Sequence, residues 1–387
     1  MKHNWEYKPI GDCFAYIKNG ANIKQEKEAG GLPVTRIETL SNGVFNRSKM
    51  GYANIFEIGK YEPNVLNNGD LLMSHINSKT YVGRTVIYES LPNEVIIHGM
   101  NLLRLIPNDA VRSKFFYYTT LSHYFKSKIV NIRKDSVNQS SFSISDLKKI
   151  SIPVPPMEVQ ERIMAELDKI NETIEDCREL LRILDALAQS LFYDYFGDPI
   201  TNPKGFPIKT LKDVCILKSG DSSANRLPDG KVPYVKVGDM NLLENKQGIL
   251  TSSKFVNIGN KTKLLFPIGT TIFPKRGGAI LTNKKRLTKV QICCDLNIMG
   301  AIPQNIHPLY LYFFFLEKDF SELVDGSTVP QINNTDIYPL KIQVPPLSLQ
   351  KKFAERIEQI EAQKKVVEDT IAELQTLLDS RMDYWFN

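Results

Sequence analysis

Polar and basic side chains follow two apolar segments that lie 200 residues apart in the chain. Residues 74–79 follow a segment that ends at Met73, and residues 274–278 follow one that ends at Phe273. Side chains with paired hydrogen-bonding groups at the end of a rigid strand can reach base edges, because Arg fits guanine and Asn or Gln fits adenine. The pattern predicts contacts with nucleic acid, while an ordinary solvated turn stays open as the alternative at each single residue.

A second pair of segments, residues 133–139 and 326–333, is also rich in basic and amide side chains. These two segments match each other in chemistry more than in alignment. Arg36 and Lys236 occupy matching positions in two short apolar stretches that lie 200 residues apart. The candidate nucleic-acid contacts are therefore Arg36, His75, Asn77, Lys79, Arg133, Lys134, Asn138, Gln139, Lys236, Lys275, Arg276, Gln331 and Asn333.

The sequence contains no motif that binds a nucleotide or a catalytic metal. It has no GxxxxGK[ST] phosphate loop, no GxGxxG after a strand, no HExxH, and no Asn or Asp before the Pro-Pro-aromatic signature of amino-methyltransferases. The five histidines lack the spacing of metal ligands, and no pair of carboxylates is placed for a two-metal site. We therefore predict no catalytic residue, metal or cofactor in this chain, so that any chemistry must come from partners.

A motif repeated at a spacing of 190 residues indicates a tandem duplication. Residues 154–160, Val-Pro-Pro-x-x-x-Gln, recur as residues 344–350, and each copy opens a segment whose apolar residues step by four and three. This is a heptad pattern. Proline fits the first turn of a helix but blocks helix upstream of itself. We predict helices that begin at about Met157 and Leu347 and run for roughly 40 residues, on the order of 60 Å.

The apolar stripe on each predicted helix is narrow, which suits packing against a second helix better than packing against a wide core. Two helices docked separately on their own domains stay open as the alternative. The predicted seam of a coiled coil consists of Ile163, Leu167, Ile170, Ile174, Leu181, Leu184, Leu191, Phe353, Ile357, Ile360, Val367, Ile371, Leu374 and Leu378.

The order of the segments predicts the direction of pairing. The first helix carries the chain from the first globular region to the second, so the second helix reaches its partner only by running back. Two cations, Lys364 and Arg381, fall on the seam. We interpret them as stems that extend to a solvated edge, and the alternative is that they fix the register of the two helices.

The predicted fold class is α+β: two related mixed α/β domains separated by two long helices that form an antiparallel coiled coil with pseudo-twofold symmetry. The predicted boundaries are residues 1–151 and 198–341 for the globular domains and residues 152–197 and 342–387 for the helices. Short β-branched and aromatic runs indicate strands at residues 85–88 and 95–97, and longer runs indicate helices at residues 113–125 and 308–320.

Composition sets wider bounds on the function. The chain has 387 residues, 42% of them hydrophobic, which is enough for two cores, and 24% charged residues argue against disorder. It has no apolar run of 18 residues and no basic-apolar leader, and its five cysteines show no CxxC spacing. We therefore expect a cytoplasmic protein with reduced thiols. A net charge of +6 suits a partner rich in phosphate but is weak support by itself.

The two helix openings resemble those of the specificity subunits of type I restriction-modification enzymes. Residues 152–160 (Ile-Pro-Val-Pro-Pro-Met-Glu-Val-Gln) and 343–350 (Gln-Val-Pro-Pro-Leu-Ser-Leu-Gln) follow the family pattern I-P-x-P-P-L-x-E-Q, which is highly specific when it occurs twice at such a spacing. The first copy has Glu158-Val159 in another order, and the second lacks the acidic residue. The resemblance covers the whole chain.

This resemblance implies two target-recognition domains that bind double-stranded DNA, each followed by a conserved spacer helix. It also implies two modification subunits that methylate adenine with S-adenosylmethionine, and restriction subunits that add ATP-driven, magnesium-dependent motor and nuclease activity. The chain itself would be non-catalytic and would act in defence against foreign DNA. A stand-alone DNA-binding protein or a coiled-coil adaptor remains the alternative. A catalytic protein with a coiled-coil arm would need a nucleotide or metal motif that the sequence lacks.

Symmetry leads independently to the same kind of target. B-DNA has local twofold axes perpendicular to its length, so two related domains on a pseudo-twofold spacer would contact two separated short sequences on opposite strands. Because the loops of the two domains differ, the predicted target is bipartite and asymmetric.

Overall fold

The computed structural model describes residues 4–26, 29–137, 139–222, 227–324 and 330–386. Contacts divide the chain into two units. Unit 1 holds the described residues up to Asp176 together with those from Thr370 onward, and unit 2 runs from Cys177 to Asp369. Both long helices therefore contribute residues to both units.

Unit 1 is built on a four-stranded antiparallel sheet in the order β2-β6-β3-β5. A two-stranded sheet pairs β1 with β9, and a three-stranded sheet has the order β4-β8-β7. The elements are β1 (Glu6–Pro9), α1 (Ile10–Cys13), β2 (Phe14–Asn19), β3 (Leu71–Ser74), β4 (Ile76–Asn77), β5 (Thr85–Ile87), β6 (Leu102–Pro107), α2 (Ser113–Leu121), α3 (His123–Ile132), β7 (Lys134–Asp135), β8 (Ser140–Ser141), α4 (Ile144–Lys149), β9 (Ser151–Val154) and the long helix α5 (Met157–Phe196).

Unit 2 repeats this plan with the four-stranded order β11-β17-β14-β15 and a two-stranded pair of β10 and β18. A further sheet has the order β13-β12-β16. The elements are β10 (Ile208–Thr210), α6 (Leu211–Val214), β11 (Cys215–Ser219), β12 (Leu227–Val235), β13 (Phe255–Asn257), β14 (Thr271–Pro274), β15 (Arg286–Leu287), β16 (Cys293–Cys294), β17 (Ile298–Pro303), α7 (Pro308–Leu316), α8 (Asn334–Ile337), β18 (Lys341–Gln343) and the long helix α9 (Leu347–Phe386).

The predicted α+β class is confirmed, with some changes in individual elements. The strand predicted at residues 85–88 is β5, but the one predicted at residues 95–97 is wrong, because only isolated bridges from Ile97 to Val34 and Val65 occur there. The helix predicted at residues 113–125 breaks at Ser122, whose hydroxyl accepts the backbone N–H of Phe125 and so caps a new helix, α3.

The same sheet positions are filled by different chemistry in the two units. In unit 1, Arg104 on β6 lies opposite Leu72 and forms a buried ion pair of 2.7 Å with Asp70. In unit 2, Gly300 on β17 lies opposite Ile272, and the ring of Phe266 occupies the space that a Cβ atom on Gly300 would need. One repeat thus carries a paired charge where the other carries an aromatic ring.

One buried glutamine attaches each long helix to its domain. Gln160 accepts the backbone N–H of Arg112 (3.0 Å) and donates to the carbonyls of Ala110 and Pro155 (both 2.9 Å). Gln350, 190 residues later, accepts the N–H of His307 (2.8 Å) and donates to the carbonyl of Pro345 (2.8 Å). Both side chains are buried. The repeated motif thus joins the start of the helix to the loop before α2 or α7.

The long helices run antiparallel, as predicted. In unit 1, Glu166 of α5 accepts hydrogen bonds from Arg381 and Trp385 of α9. In unit 2, Phe196 of α5 packs edge-on against Phe353 of α9, with 5.1 Å between the ring centroids. Both helices begin and end at the predicted places.

The seam residues follow the predicted heptads, since none of them is exposed. Near the helix ends the seam is covered by the globular cores, and toward the middle it is half-buried, as at Leu181, Val367 and Ile371. Packing on the domains and packing between the helices therefore occur together.

Both cations on the seam pair with the other helix. Lys364 lies 2.7 Å from Asp185, with a side chain that is 13% exposed, and Arg381 pairs with Glu166. The geometry favours the alternative in which these cations fix the register of the two helices.

Within the described residues, no helix is both long and apolar enough to cross a membrane.

We expect Gln160→Glu to destabilise unit 1 by roughly 2–4 kcal/mol. The carboxylate keeps the shape of the side chain but turns a donor of two hydrogen bonds into an acceptor that faces two carbonyls. The measurement is the midpoint of the urea transition reported by fluorescence of Trp5 and Trp385, which both lie in unit 1. Gln359→Glu, the same change at an exposed position of α9, is the matched control and should leave the midpoint unchanged. Equal midpoints for both variants would contradict the role of Gln160.

Candidate nucleic-acid interface

The two separate candidate segments of the first domain form one surface in unit 1. Strand β8 pairs with both β4 and β7, so that Ser140 lies opposite Asn77 on one side and Asp135 on the other. The backbone N–H of Phe142 also donates to the carbonyl of His75 (3.1 Å). We call this surface patch 1, and it comprises His75, Asn77, Lys79, Arg133, Lys134, Asp135, Gln139 and Ser140.

The candidate segments of the second domain come together in the same way. The backbone N–H of Ile332 donates to the carbonyl of Lys275 (2.9 Å), and Arg276 and Gln331 form an isolated antiparallel bridge. The Nε of Arg276 donates to Gln331 (3.2 Å), whose amide donates in turn to Asn333 (2.7 Å). We call this surface patch 2, and it comprises Lys275, Arg276, Gln331 and Asn333.

Matching backbone positions build the two patches. The amide-to-carbonyl bond from Phe142 to His75 corresponds to the one from Ile332 to Lys275, at offsets of 190 and 200 residues. The end of the neighbouring strand repeats as well: Asn19 of β2 meets the His75 ring (3.1 Å), and Ser219 of β11 accepts the Lys275 ammonium (2.9 Å). The scaffold of the interface is thus shared, while the side chains on it differ.

Most candidates in patch 1 are at the surface, but His75 is not. Lys134 and Gln139 are exposed, and the side chain of Lys79 is 64% exposed. His75 is only 8% exposed, and burial lowers its pKa, so its ring is neutral at neutral pH. A direct contact between His75 and DNA would require its ring to move.

Asn77 is half-buried and serves the loop itself. Its amide donates to the Ser74 hydroxyl (3.1 Å), and its carbonyl oxygen accepts the backbone N–H of Ser78 (2.8 Å). These bonds hold the turn that carries Lys79.

An acidic residue that the sequence analysis did not select lies at the centre of patch 1. Asp135 pairs with Arg133 (2.7 Å) and Lys79 (3.2 Å) and accepts the Ser140 hydroxyl (2.6 Å). The hydrogen bond from Ser140, followed by those from Arg133 and Lys79, lowers the pKa of Asp135 to about 2. Its position two residues after Arg133, on the same side of an extended segment, was the available signal.

The cations of patch 2 have neutral partners. Lys275 is half-buried against Ser219, and burial, together with the neighbouring Arg276, lowers its pKa. Arg276 is exposed and bonded to the amide of Gln331. The row formed by Arg276, Gln331 and Asn333 presents the side-chain types that bind guanine and adenine edges.

Arg36 and Lys236 each lie just before a 3-10 helix, Ile37–Gly43 or Val237–Asn241, and both are exposed. Arg36 pairs with Glu38 (3.4 Å) and lines a cavity of about 250 Å³ together with Met100. The carbonyl of Met100 accepts the amide of Asn19, which also meets His75. Arg36 is thus connected to patch 1 through neighbouring residues.

Two parts of the candidate set lie outside the described residues: Asn138, and positions 326–329 of the second segment of unit 2. In the part of the chain that the structure describes, no group of three or more His, Cys, Asp and Glu side chains is arranged to hold a metal ion.

Comparison with known proteins identifies relatives over nearly the whole chain. The model of the type I restriction modification DNA specificity domain matches twice, at residues 2–183 and 203–376. A putative type I restriction enzyme specificity subunit, MjaX of Methanocaldococcus jannaschii, is 26% identical, and the alignment covers 93% of this chain and 88% of the relative. The fold is similar to the crystal structure of a type I S subunit from M. genitalium, with a TM-score of 0.57, 18% identity, and coverage of 99% of this chain and 96% of that one.

Proposed function

Because the chain belongs to the family of type I restriction-modification DNA specificity subunits, we propose that unit 1 and unit 2 each bind one half of an asymmetric bipartite DNA target through patch 1 and patch 2. The observation that carries this proposal is the pair of patches. They are built on matching strands and matching backbone hydrogen bonds, yet they present different side chains. A shared scaffold with different reading residues is what two half-sites of different sequence require.

The side chains divide by chemistry into two roles. Arg276, Gln331 and Asn333 can form paired hydrogen bonds with base edges, so they are proposed to specify sequence. Lys79, Lys134 and Lys275 are point charges suited to phosphates, so they are proposed to position the duplex. In patch 1, Arg133 and Gln139 supply the groups for base contacts.

The two long helices are proposed to set the distance between the half-sites. They are paired antiparallel, and their register is fixed by Lys364 with Asp185 and by Arg381 with Glu166. A change in helix length between those ion pairs would move the readers without altering them.

An apolar stripe on α5 supports docking of the modification subunits. Leu180, Ile183 and Leu187 are 42%, 53% and 44% exposed and recur at helical spacing. Exposed leucine and isoleucine at this spacing suit a second protein surface better than water. In this proposal, S-adenosylmethionine binds the modification subunits, ATP and magnesium bind the restriction subunits, and the assembled complex works on cytoplasmic DNA.

We expect the double substitution Lys275→Ala, Arg276→Ala to weaken or relax reading of one half-site by about 1–3 kcal/mol, the value of a lost bidentate base contact. The other half-site should be read as before. The measurement is binding of the full chain to duplexes in which either half-site is scrambled. Lys209→Ala, Lys212→Ala removes the same charge from β10 and α6 and serves as the control. An equal loss for every sequence would identify phosphate contacts instead, and no loss would remove patch 2 from the interface.

Deleting residues 177–183 and 365–371 together should shorten the target. Each deletion removes one heptad between the two interhelical ion pairs and shortens the coiled coil by about 10.5 Å, which corresponds to about three base pairs at roughly 3.4 Å each. Sequencing of methylated adenines in cells should show the same half-sites with a shorter spacer. A single deletion should destabilise the chain, because it leaves apolar layers without partners. Methylation at the original spacing in the double deletion would mean that another feature sets the distance.

The substitutions Ile183→Lys and Leu187→Lys should block assembly with the modification subunits while leaving DNA binding by the full chain unchanged, because the stripe lies outside both patches. Copurification and incorporation of labelled methyl groups measure the effect. Leu243→Lys is the control, since Leu243 is 81% exposed and lies outside the long helices. The wild-type chain alone should transfer no methyl group. Full assembly of the double variant would exclude the stripe as the docking surface.

A further inference from the structure

Two of the three basic side chains of patch 1 share one carboxylate. Asp135 lies 2.7 Å from Arg133 Nε and 3.2 Å from the Lys79 ammonium, and the guanidinium of Arg133 also donates to the carbonyl of Lys79 (3.4 Å). The Ser140 hydroxyl fixes the carboxylate from the adjacent strand (2.6 Å). The cluster is therefore held from β7, β8 and the loop after β4 at once.

Patch 2 has no such carboxylate among the described residues. Lys275 donates to a hydroxyl and Arg276 to a side-chain amide, and both partners are neutral. Lys79, Arg133 and Asp135 together carry one positive charge, whereas Lys275 and Arg276 carry two. The two patches are built on one scaffold but differ in the charge that they offer to a phosphate backbone.

We propose that Asp135 is a positioning residue that holds Lys79 and Arg133 in a fixed arrangement for reading the first half-site and neutralises part of their charge. This inference rests on the proposed function of the patches. Patch 1 then binds its half-site mainly through oriented contacts, while patch 2 supplies more of the affinity that does not depend on sequence. A guanidinium anchored by a carboxylate loses less rotational freedom when it binds a base edge than a free one does.

Salt dependence separates these contributions, because each additional phosphate contact steepens the slope of log Kobs against log salt by about 0.9. Lys79→Ala should therefore reduce the slope by well under that value, since Asp135 already compensates the ammonium. Lys275→Ala should reduce the slope by about the full value. This pair of measurements leaves Asp135 unchanged and does not depend on how a variant of Asp135 folds.

The direct test uses Asp135→Asn in the full chain assembled with its modification subunits. The probes are duplexes that carry the target found by sequencing methylated adenines, with neither half-site, either half-site or both half-sites scrambled. We expect tighter binding to every duplex at low salt and a slope steeper by about 0.9, because one cation is released toward phosphate. Discrimination at the first half-site should fall about tenfold, within the range for one lost base contact. Discrimination at the second half-site should not change.

Two further variants separate charge from geometry. Asp135→Glu keeps the charge but moves the carboxylate, so the wild-type slope should remain while discrimination at the first half-site falls. Asp336→Asn removes an acidic charge that caps the start of α8 beside Asn333 without pairing a lysine or arginine, and it should leave the slope close to that of the wild type. A wild-type slope and wild-type discrimination in a folded Asp135→Asn protein would overturn the proposal, as would equal slope losses for Lys79→Ala and Lys275→Ala.

Failure of the broader function would look different. If scrambling either half-site left wild-type binding unchanged, the patches would not read DNA at all. If the wild type discriminated at both half-sites and Asp135→Asn behaved like it, only the role of Asp135 would fall.

Discussion

The direction in which each long helix leaves its domain depends on one buried amide side chain. Gln160 and Gln350 satisfy backbone groups on both sides of the Pro-Pro turn, and neither side chain has solvent to replace a lost partner. Because the helix that follows has 40 residues, a small rotation at its first turn becomes a displacement of many ångströms at its far end. A buried, fully bonded glutamine resists that rotation better than apolar contacts, which are non-directional.

The repeat keeps backbone geometry and changes side-chain chemistry. The central sheets share one strand order, although one core contains the Asp70–Arg104 ion pair and the other places Phe266 against Gly300. The same division holds at the surface, where matching backbone bonds carry an acid-centred cluster in one unit and a row of neutral partners in the other. The two sites can therefore differ in specificity without any change in the frame that supports them.

Local patterns determined how much could be predicted from the sequence. The long helices were predicted to the residue, because proline and the heptad period are short-range signals. The union of residues 75–79 with residues 133–141 depends on strand pairing over more than 50 positions, which no local pattern encodes. The burial of His75 and the central place of Asp135 follow from that pairing, so the candidate residues were found while their arrangement was not. The strand expected at residues 95–97 failed because β-branched composition also suits buried loop segments joined by single bridges.

The division of the chain into units also bears on how the protein is made. Unit 2 is continuous in sequence, but the core of unit 1 combines Phe115 and Leu167 with Trp385 and Phe386. A ribosome releases all of unit 2 before it releases those last two aromatic residues. Unit 2 can therefore finish folding during synthesis, while unit 1 keeps an apolar cleft open beside Phe115 until the end. Chaperone demand and sensitivity to premature termination should therefore be concentrated in unit 1.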